Sequence, residues 1–591
     1  MSTEAMSTTL RASPRRPARQ LRLEHFIMGG AIVALIVLVV LPLLFLLIGS
    51  VRGEQGLGLG HFGEVLSGRL YVNALLNSLI LGAWTGLFSL IIGLLLAWAV
   101  SRTDVPGKKF IHATATLSYL LPPFLTAIAF TYLFTPNAGL INVLMRDVLG
   151  VPALTFNIFS MKGLVLVTVM HTFPFVYLLA SSALQSVDAS YEEAAQILGA
   201  SKLRTAFSIT APLVAPAVLS GVLLSFVNAI ALFGSQAIIG LPGRIVTLPT
   251  RIYALFDFPP EYGLASALSL VFVVLTVAAL YLQRAFLARR SYVTLGGKGA
   301  RPQLMELGIF RWILFGFAVA IFIVAIFAPF ATLIAVSFSK SWGLDFWKNL
   351  TLANYKFILF DYNVTQRAIL NSLGLAIAAA TLAVLMGVVM AWIDLRTRIP
   401  GRKVLDYASL IPLGLPGIVM AVALIQFWLA LEVFSKSTFD VSIGLYGSLT
   451  ILLLAYLGRY LPLGVRAANA SLRQVDPSLE ESAQILGARW TTTMWEITLP
   501  LIRPGLFAGW VLVFVPVIQE LSASILLFSS SSITLAVAVY NLYETGYIEP
   551  VAALAMVNMA IIGVAIFLAY RIGGYSGLGG SSGRRDAVTV N

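Results

Sequence analysis

The sequence contains no cysteine, so neither a disulfide framework nor a thiolate metal site is open to it. Its four histidines, His25, His61, His112 and His171, are scattered and set no metal-ligand spacing, so no metal site is expected. Charge is sparse: Asp, Glu, Lys and Arg make up 11% of 591 residues. A phosphate-binding G-x-x-x-x-G-K-[ST] loop is missing, because Lys108 and Lys298 lack the upstream glycine at the required spacing. No cluster of nucleophile, base and metal ligands stands out either. The chain is therefore expected to be neither an enzyme nor a nucleotide hydrolase, and to bind no cofactor of its own.

What it has is apolar surface. Hydrophobic residues make up 59% of the chain, with a mean hydropathy of +0.90. Apolar runs of roughly 20 residues recur throughout, the length needed to cross a bilayer core about 30 Å thick. Twelve are read as spans, among them 111–135, 212–239, 405–431 and 500–528. The expected fold class is an all-α polytopic membrane protein. The net charge of +13 reads as topology and argues against nucleic acid as a partner. Arg11, Arg15 and Arg16 in the tail, Arg102, Lys108 and Lys109, Arg284, Arg289 and Arg290, and Arg396, Arg398 and Arg402 fall on one side of the membrane once the N-terminus is placed inside. Both termini are then expected to be cytoplasmic, with residues 1–25 a basic tail ahead of a retained first span.

The chain repeats itself. Asn77-Ser78-Leu79 and Asn371-Ser372-Leu373 open the second and eighth spans, and Pro106-Gly107 and Pro400-Gly401 follow them, 294 residues apart. Pro122 and Pro416 match inside spans three and nine. Pro174 and Pro462 match inside spans four and ten at an offset of 288. Prolines within apolar runs either kink a span for packing or supply a hinge. The expected organisation is two homologous six-helix halves running in the same sense, 26–287 and 311–575, with a cytoplasmic linker at 288–310 and a tail at 576–591. Such a parallel duplication places a pseudo-two-fold axis along the membrane normal, and the axis is the natural permeation path.

The most informative repeat is a polar loop. EEAAQILGAS in the first half faces EESAQILGAR in the second at an offset of 288. Within 187–211 stand Glu193, Ala194, Ala195, Gly199 and Ile209, followed by Pro212; within 475–499 stand Glu481, Ser482, Ala483, Gly487 and Ile497, followed by Pro500. Asp188 and Asp476 suit helix N-caps, the glutamates suit the positive end of a helix, and each glycine either ends the helix or permits close backbone approach. Two copies of such a loop suggest two docking surfaces for a two-fold partner.

This pattern resembles the EAA loop of the permease subunits of ABC importers: E-A-A, three residues, glycine, nine residues, then I-x-L-P. The first copy departs by Ala211 for Leu, the second by Ser482 for Ala. The resemblance covers nearly the whole chain and implies a type I importer permease with both halves fused. It further implies two copies of an ATP-binding subunit docked on the loops, ATP and Mg bound on those subunits alone, a periplasmic substrate-binding protein, and a bacterial inner-membrane location. Ser291-Tyr292-Val293-Thr294, Gly297-Lys298-Gly299, Leu352-Ala353-Asn354-Tyr355 and Glu520-Leu521-Ser522 are similar to segments of fused iron(III)-type permeases. Ferric iron is the cargo so implied, with 2-aminoethylphosphonate, thiamine or a polyamine as alternatives. A different class, the ion-gradient-driven secondary transporter, requires membrane carboxylates and leaves the paired loops without a purpose.

Ionisable and polar groups inside spans are candidates for the path. Glu520, read as lying near the middle of span eleven beside Gln519, is either a pathway carboxylate or a buried acid satisfied by a partner such as Arg459 or Arg466. Arg459 and its repeat mate His171 are placed near the outer mouth. Asn228, Gln236 and Gln426 suit helix–helix hydrogen bonds.

Overall fold

The computed structural model describes residues 18–53, 56–289 and 304–573. Among these, 11 helices are long and apolar enough to cross a membrane, or 12 if one bent pair is a single span. The bent pair is span three: Lys108–Leu120 and Pro123–Phe134 meet at 98°. Proline explains the break. It drives the preceding Leu121 to extended backbone (ψ 129) and leaves Pro122 itself extended (ψ 124). Span nine breaks at the matching point, where Leu415 and Pro416 are extended before a helix over Gly417–Phe439. Pro174 and Pro462 do otherwise, standing inside the unbroken helices Met161–Ser186 and Leu449–Arg473.

Other boundaries move. Helix begins at Ala18, within the expected tail. Span five runs over Ala206–Ala231 and span eleven over Trp490–Ile518, both earlier than read. Each is followed by a short buried return segment that carries enough apolar residues to pass for more span. The Asn-Ser pairs hold these segments in place. Asn77 donates to the Val246 carbonyl (2.8 Å), and Ser78 Oγ accepts from the Leu248 amide (2.8 Å). Asn371 donates to the Ile533 carbonyl (2.9 Å), and Ser372 Oγ accepts from the Leu535 amide (2.7 Å).

The halves interlock. The first helix (Ala18–Leu35) packs on Asn363–Arg396 of the second half, and Phe310–Phe322 packs on Lys108–Leu120 of the first. Phe110 meets Phe322 with ring centroids 5.1 Å apart. Buried residues of both halves form one continuous apolar core. Within each half the second and fourth spans touch through glycine, since between helices in lipid it is close packing that replaces the hydrophobic drive. A β-carbon on Gly387 would lie 2.6 Å from the Gly464 carbonyl, and one on Gly93 would lie 2.8 Å from the Phe173 carbonyl.

Part of the linker has a structural role. Residues 290–303 and the tails 1–17 and 574–591 lie outside the described residues, and with them the Ser291–Thr294 and Gly297–Gly299 segments. Met305, however, pairs with Thr103 as an isolated parallel bridge, its amide donating to the Arg102 carbonyl (2.8 Å). The Leu307 amide donates to Asp104 Oδ1 (3.0 Å), and Arg311 stands 3.4 Å from Asp104.

Candidate coupling loops and translocation site

Each copied loop folds as a nine-residue helix, Ala189–Ile197 and Pro477–Ile485. Both are capped as their sequences require: Asp188 Oδ1 accepts from the Ser190 amide and Asp476 Oδ1 from the Ser478 amide, each at 2.9 Å. That amide holds the Asp476 carboxyl below the usual carboxylate range. Both helices stop at glycine in the left-handed region, Gly199 at φ 84° and Gly487 at φ 90°. Among the described residues, no atom lies within 4 Å of where their β-carbons would be, so the glycines serve the turn and not a close approach to them. Just before each glycine an apolar pair stands bare: Ile197 and Leu198 are 86% and 88% exposed, Ile485 and Leu486 85% and 88%.

The inner faces carry residues that sequence reading passed over. Arg102 ends the second span and lies 3.3 Å from Glu192; Arg396 ends the eighth and lies 3.2 Å from Glu480. Thr210 donates to Glu192 (2.7 Å), and Thr498 donates to Glu480 (3.1 Å). Each arginine also donates to the residue joining the fourth or tenth span to the loop, Arg102 to the Val187 carbonyl (3.4 Å) and Arg396 to the Val475 carbonyl (2.7 Å). The available signal was the doubled glutamate at 192–193 and 480–481, of which only the second belongs to the E-A-A pattern.

Beneath the second copy lies a cavity of about 330 Å³ lined by Arg396, Arg398, Arg402, Glu481 and Trp490. In the first half the position of Arg398 is taken by Asp104, which holds the linker end.

Glu520 is 5% exposed. It lies beyond the end of span eleven at Ile518, in the turn leading to the return segment, and not at mid-span. Arg459 Nη1 is 3.3 Å from Glu520 Oε1; Arg466 is not its partner. The Tyr460 hydroxyl donates to Glu520 Oε2, and the Ala523 amide donates to Oε1 (2.9 Å). Arg459 and His171 stand near the middles of Leu449–Arg473 and Met161–Ser186, away from the helix ends where an outer mouth was expected. Gln519 donates to the Leu120 carbonyl at the break of span three (3.0 Å), joining the halves. His171 stacks on Tyr119 beside the same break, with centroids 5.6 Å apart. Glu520, Gln519, Arg459 and His171 thus gather around the layer where the third and ninth spans break. Asn228 instead donates to the Leu224 carbonyl of its own helix (3.0 Å). Gln426 does bond across helices, to the Tyr262 carbonyl (3.1 Å) and Ser266 (2.6 Å). Among the described residues, no group of three or more His, Cys, Asp or Glu is placed to hold a metal ion.

The family model described as "Binding-protein-dependent transport system inner membrane component" matches twice, over residues 89–292 and 383–574. The chain is 26% identical over 565 residues to the ferric transport system permease protein FbpB of Actinobacillus pleuropneumoniae, covering 93% of this chain and 79% of that one. It is 28% identical over 491 residues to the putative ferric transport system permease protein FbpB 1 of Haemophilus influenzae, covering 81% and 73%. The molybdenum transport system permease protein ModB of Escherichia coli K12 is 32% identical over 223 residues, which is 93% of its own length and 37% of this chain.

Proposed function

Because the chain belongs to the family of binding-protein-dependent transport system inner membrane components, we propose that it forms the path for ferric iron through the bacterial inner membrane and is driven through its two copied loops. In this reading two copies of a separate ATP-binding subunit, carrying ATP and Mg, seat the exposed Ile-Leu pairs at 197–198 and 485–486. A periplasmic binding protein delivers the cargo to the outer face, and both termini face the cytoplasm, as the Lys/Arg distribution favours. Closure of the ATP-binding pair draws the loops together and opens the path outward; hydrolysis returns it inward.

The observation that carries this reading is the match between the two loops. Two helices 288 residues apart end in the same left-handed glycine and bare the same apolar pair to within a few percent. Apolar residues so exposed at matched places suit a partner with two equivalent clefts. The ferric cargo comes from the names of the relatives that span most of the chain. Glu520 and Tyr460 supply the oxygen donors that hard cations take, and a passing cation must compete with Arg459 for Glu520. Gln519 and His171 border the same layer, and Asn228, half-buried on the fifth span and bonded to the Leu224 carbonyl of its own helix, is a further candidate.

The test is ATP hydrolysis by the purified assembly in nanodiscs, with an ATP-binding subunit and a periplasmic binding protein from the same organism. The binding protein is loaded in turn with ferric iron, 2-aminoethylphosphonate, thiamine and spermidine. Stimulation by the ferric form alone is expected. Stimulation by another cargo overturns iron, and failure of any ATP-binding subunit to associate overturns the coupling role.

A further inference from the structure

We propose that Glu192 and Glu480 are positioning residues that clamp each copied loop to two spans of its own half, and that movement of the loop reaches those spans through the clamp. The inference deepens the coupling role proposed above and rests on it. A single carboxylate touches three elements in each half. Glu192 meets Arg102 on the last turn of Arg69–Arg102 and Thr210 at the head of the fifth span, while itself riding on the loop helix. Glu480 meets Arg396 at the end of Asn363–Arg396 and Thr498 at the head of the eleventh span. The arginines add a bond to Val187 or Val475, the residue at which the preceding span turns into the loop. Each loop is thus tied to the second and fifth spans of its half by side chains, and to the fourth and fifth by the chain itself.

Three observations give the clamp a mechanical role. The first is repetition: Glu, Thr and Val recur at an offset of 288 and Arg at 294, so the set survives the six-residue slip between them. The second is burial. Arg102 is 5% exposed, Glu480 8% and Thr498 1%, and in such surroundings polar links strengthen and hold geometry. The third is local backbone. Thr210 and Thr498 each close a π-helical turn, Ala206–Thr210 and Met494–Thr498, within the cytoplasmic end of the span. Such turns widen a helix by one residue and commonly mark working sites. The neighbouring Glu481 is exposed and lines the cavity beneath the loop. In the second loop the doubled glutamate therefore divides its labour, Glu480 gripping the membrane helices and Glu481 facing the cavity. An ion pair kept for stability alone has no need of this arrangement, since apolar packing replaces such pairs at little or no loss.

The test compares cargo moved per ATP hydrolysed, in proteoliposomes holding the full chain, its ATP-binding subunit and its loaded binding protein. Glu192→Gln with Glu480→Gln leaves two arginines without their counter-charge and risks misfolding. The decisive pair is therefore Thr210→Val with Thr498→Val, which keeps shape and removes only the hydroxyls, set against Thr210→Ser with Thr498→Ser, which keeps them. The valine pair is expected to lower cargo per ATP about tenfold, the order of factor that losing a hydrogen bond to a charged group carries. The serine pair should stay within about twofold of the parent. Parent-like cargo per ATP in the valine pair overturns the clamp while leaving the coupling loops standing. A parent chain that shows no ATP-driven transport overturns the coupling role, and the clamp with it.

Discussion

The Arg459 guanidinium lies 3.3 Å from Glu520 in space that exists only because residue 417 is glycine. A β-carbon there would stand 1.6 Å from Arg459 Nη1 and 2.9 Å from Glu520 Oε1. Gly417 opens the helix that follows the break at Pro416. The break and the ion pair are therefore parts of one arrangement. Gly417→Ala is expected to displace Arg459 and reduce uptake at least tenfold with every charge retained. Normal uptake in this variant would separate the pair from the path.

Removing the acid tests the same pair from the other side. Glu520→Gln leaves Arg459 without its counter-charge, and losing one partner of a buried pair costs on the order of 3 kcal/mol. Lowered thermal stability in detergent together with lost uptake is expected. A stable, fully active Glu520→Gln variant would exclude the carboxylate from the path.

Glycine contacts between the second and fourth spans of each half predict a contrast. Gly464→Ala places a methyl 2.4 Å from the Ala383 carbonyl and should destabilise by about 1–3 kcal/mol through overpacking. Gly563→Ala meets nothing within 4 Å and lies inside a helix, so it should be neutral or stabilising by about 0.5–1 kcal/mol. Melting of the two variants in one detergent decides the matter, and equal effects would contradict the packing described.

Asp104 holds the linker end through the Leu307 amide and Arg311, and these hold its carboxyl below the usual carboxylate range, the amide first. A depressed folded pKa contributes above the unfolded value, about 3.9, and the contribution is lost as pH falls through the lower folded value. At neutral pH, Asp104→Ala should speed hydrogen exchange of the Leu307 amide at least tenfold. An unchanged rate would show that the contact does not protect it.

The left-handed turns closing the loops predict a separation of insertion from function. Gly199→Asp with Gly487→Asp puts a side chain at φ 84° and φ 90°, at about 1–2 kcal/mol each, and adds charge beside the bare Ile-Leu pairs. Uptake should be abolished while membrane insertion, read by protease protection, is retained. Uptake at the parental level would remove the coupling claim.

Much was legible in the sequence because its signals are local. Apolar length marks a span, Asp and Gly bracket a nine-residue helix, and Pro416 turns the preceding Leu415 away from helix. Internal repetition then located both loops without a structure. The family and the twelve-span, two-half plan followed from these. Local signals failed where apolar return segments imitate span, which is why span eleven was drawn through Glu520 when its helix ends at Ile518.

Which residues meet across the fold was decided by tertiary structure alone. Arg396 lies 84 residues from Glu480, and Gln519 lies 399 from the Leu120 carbonyl it binds; no periodicity spans such distances. The sequence by itself determined how many apolar segments are long enough to cross the membrane and which stretches are copied, since both are read from neighbours along the chain. Packing determined that Glu520 takes Arg459 over Arg466, that the first helix of each half lies against the other half, and that the linker end returns to Asp104, because those choices depend on which helix faces come together.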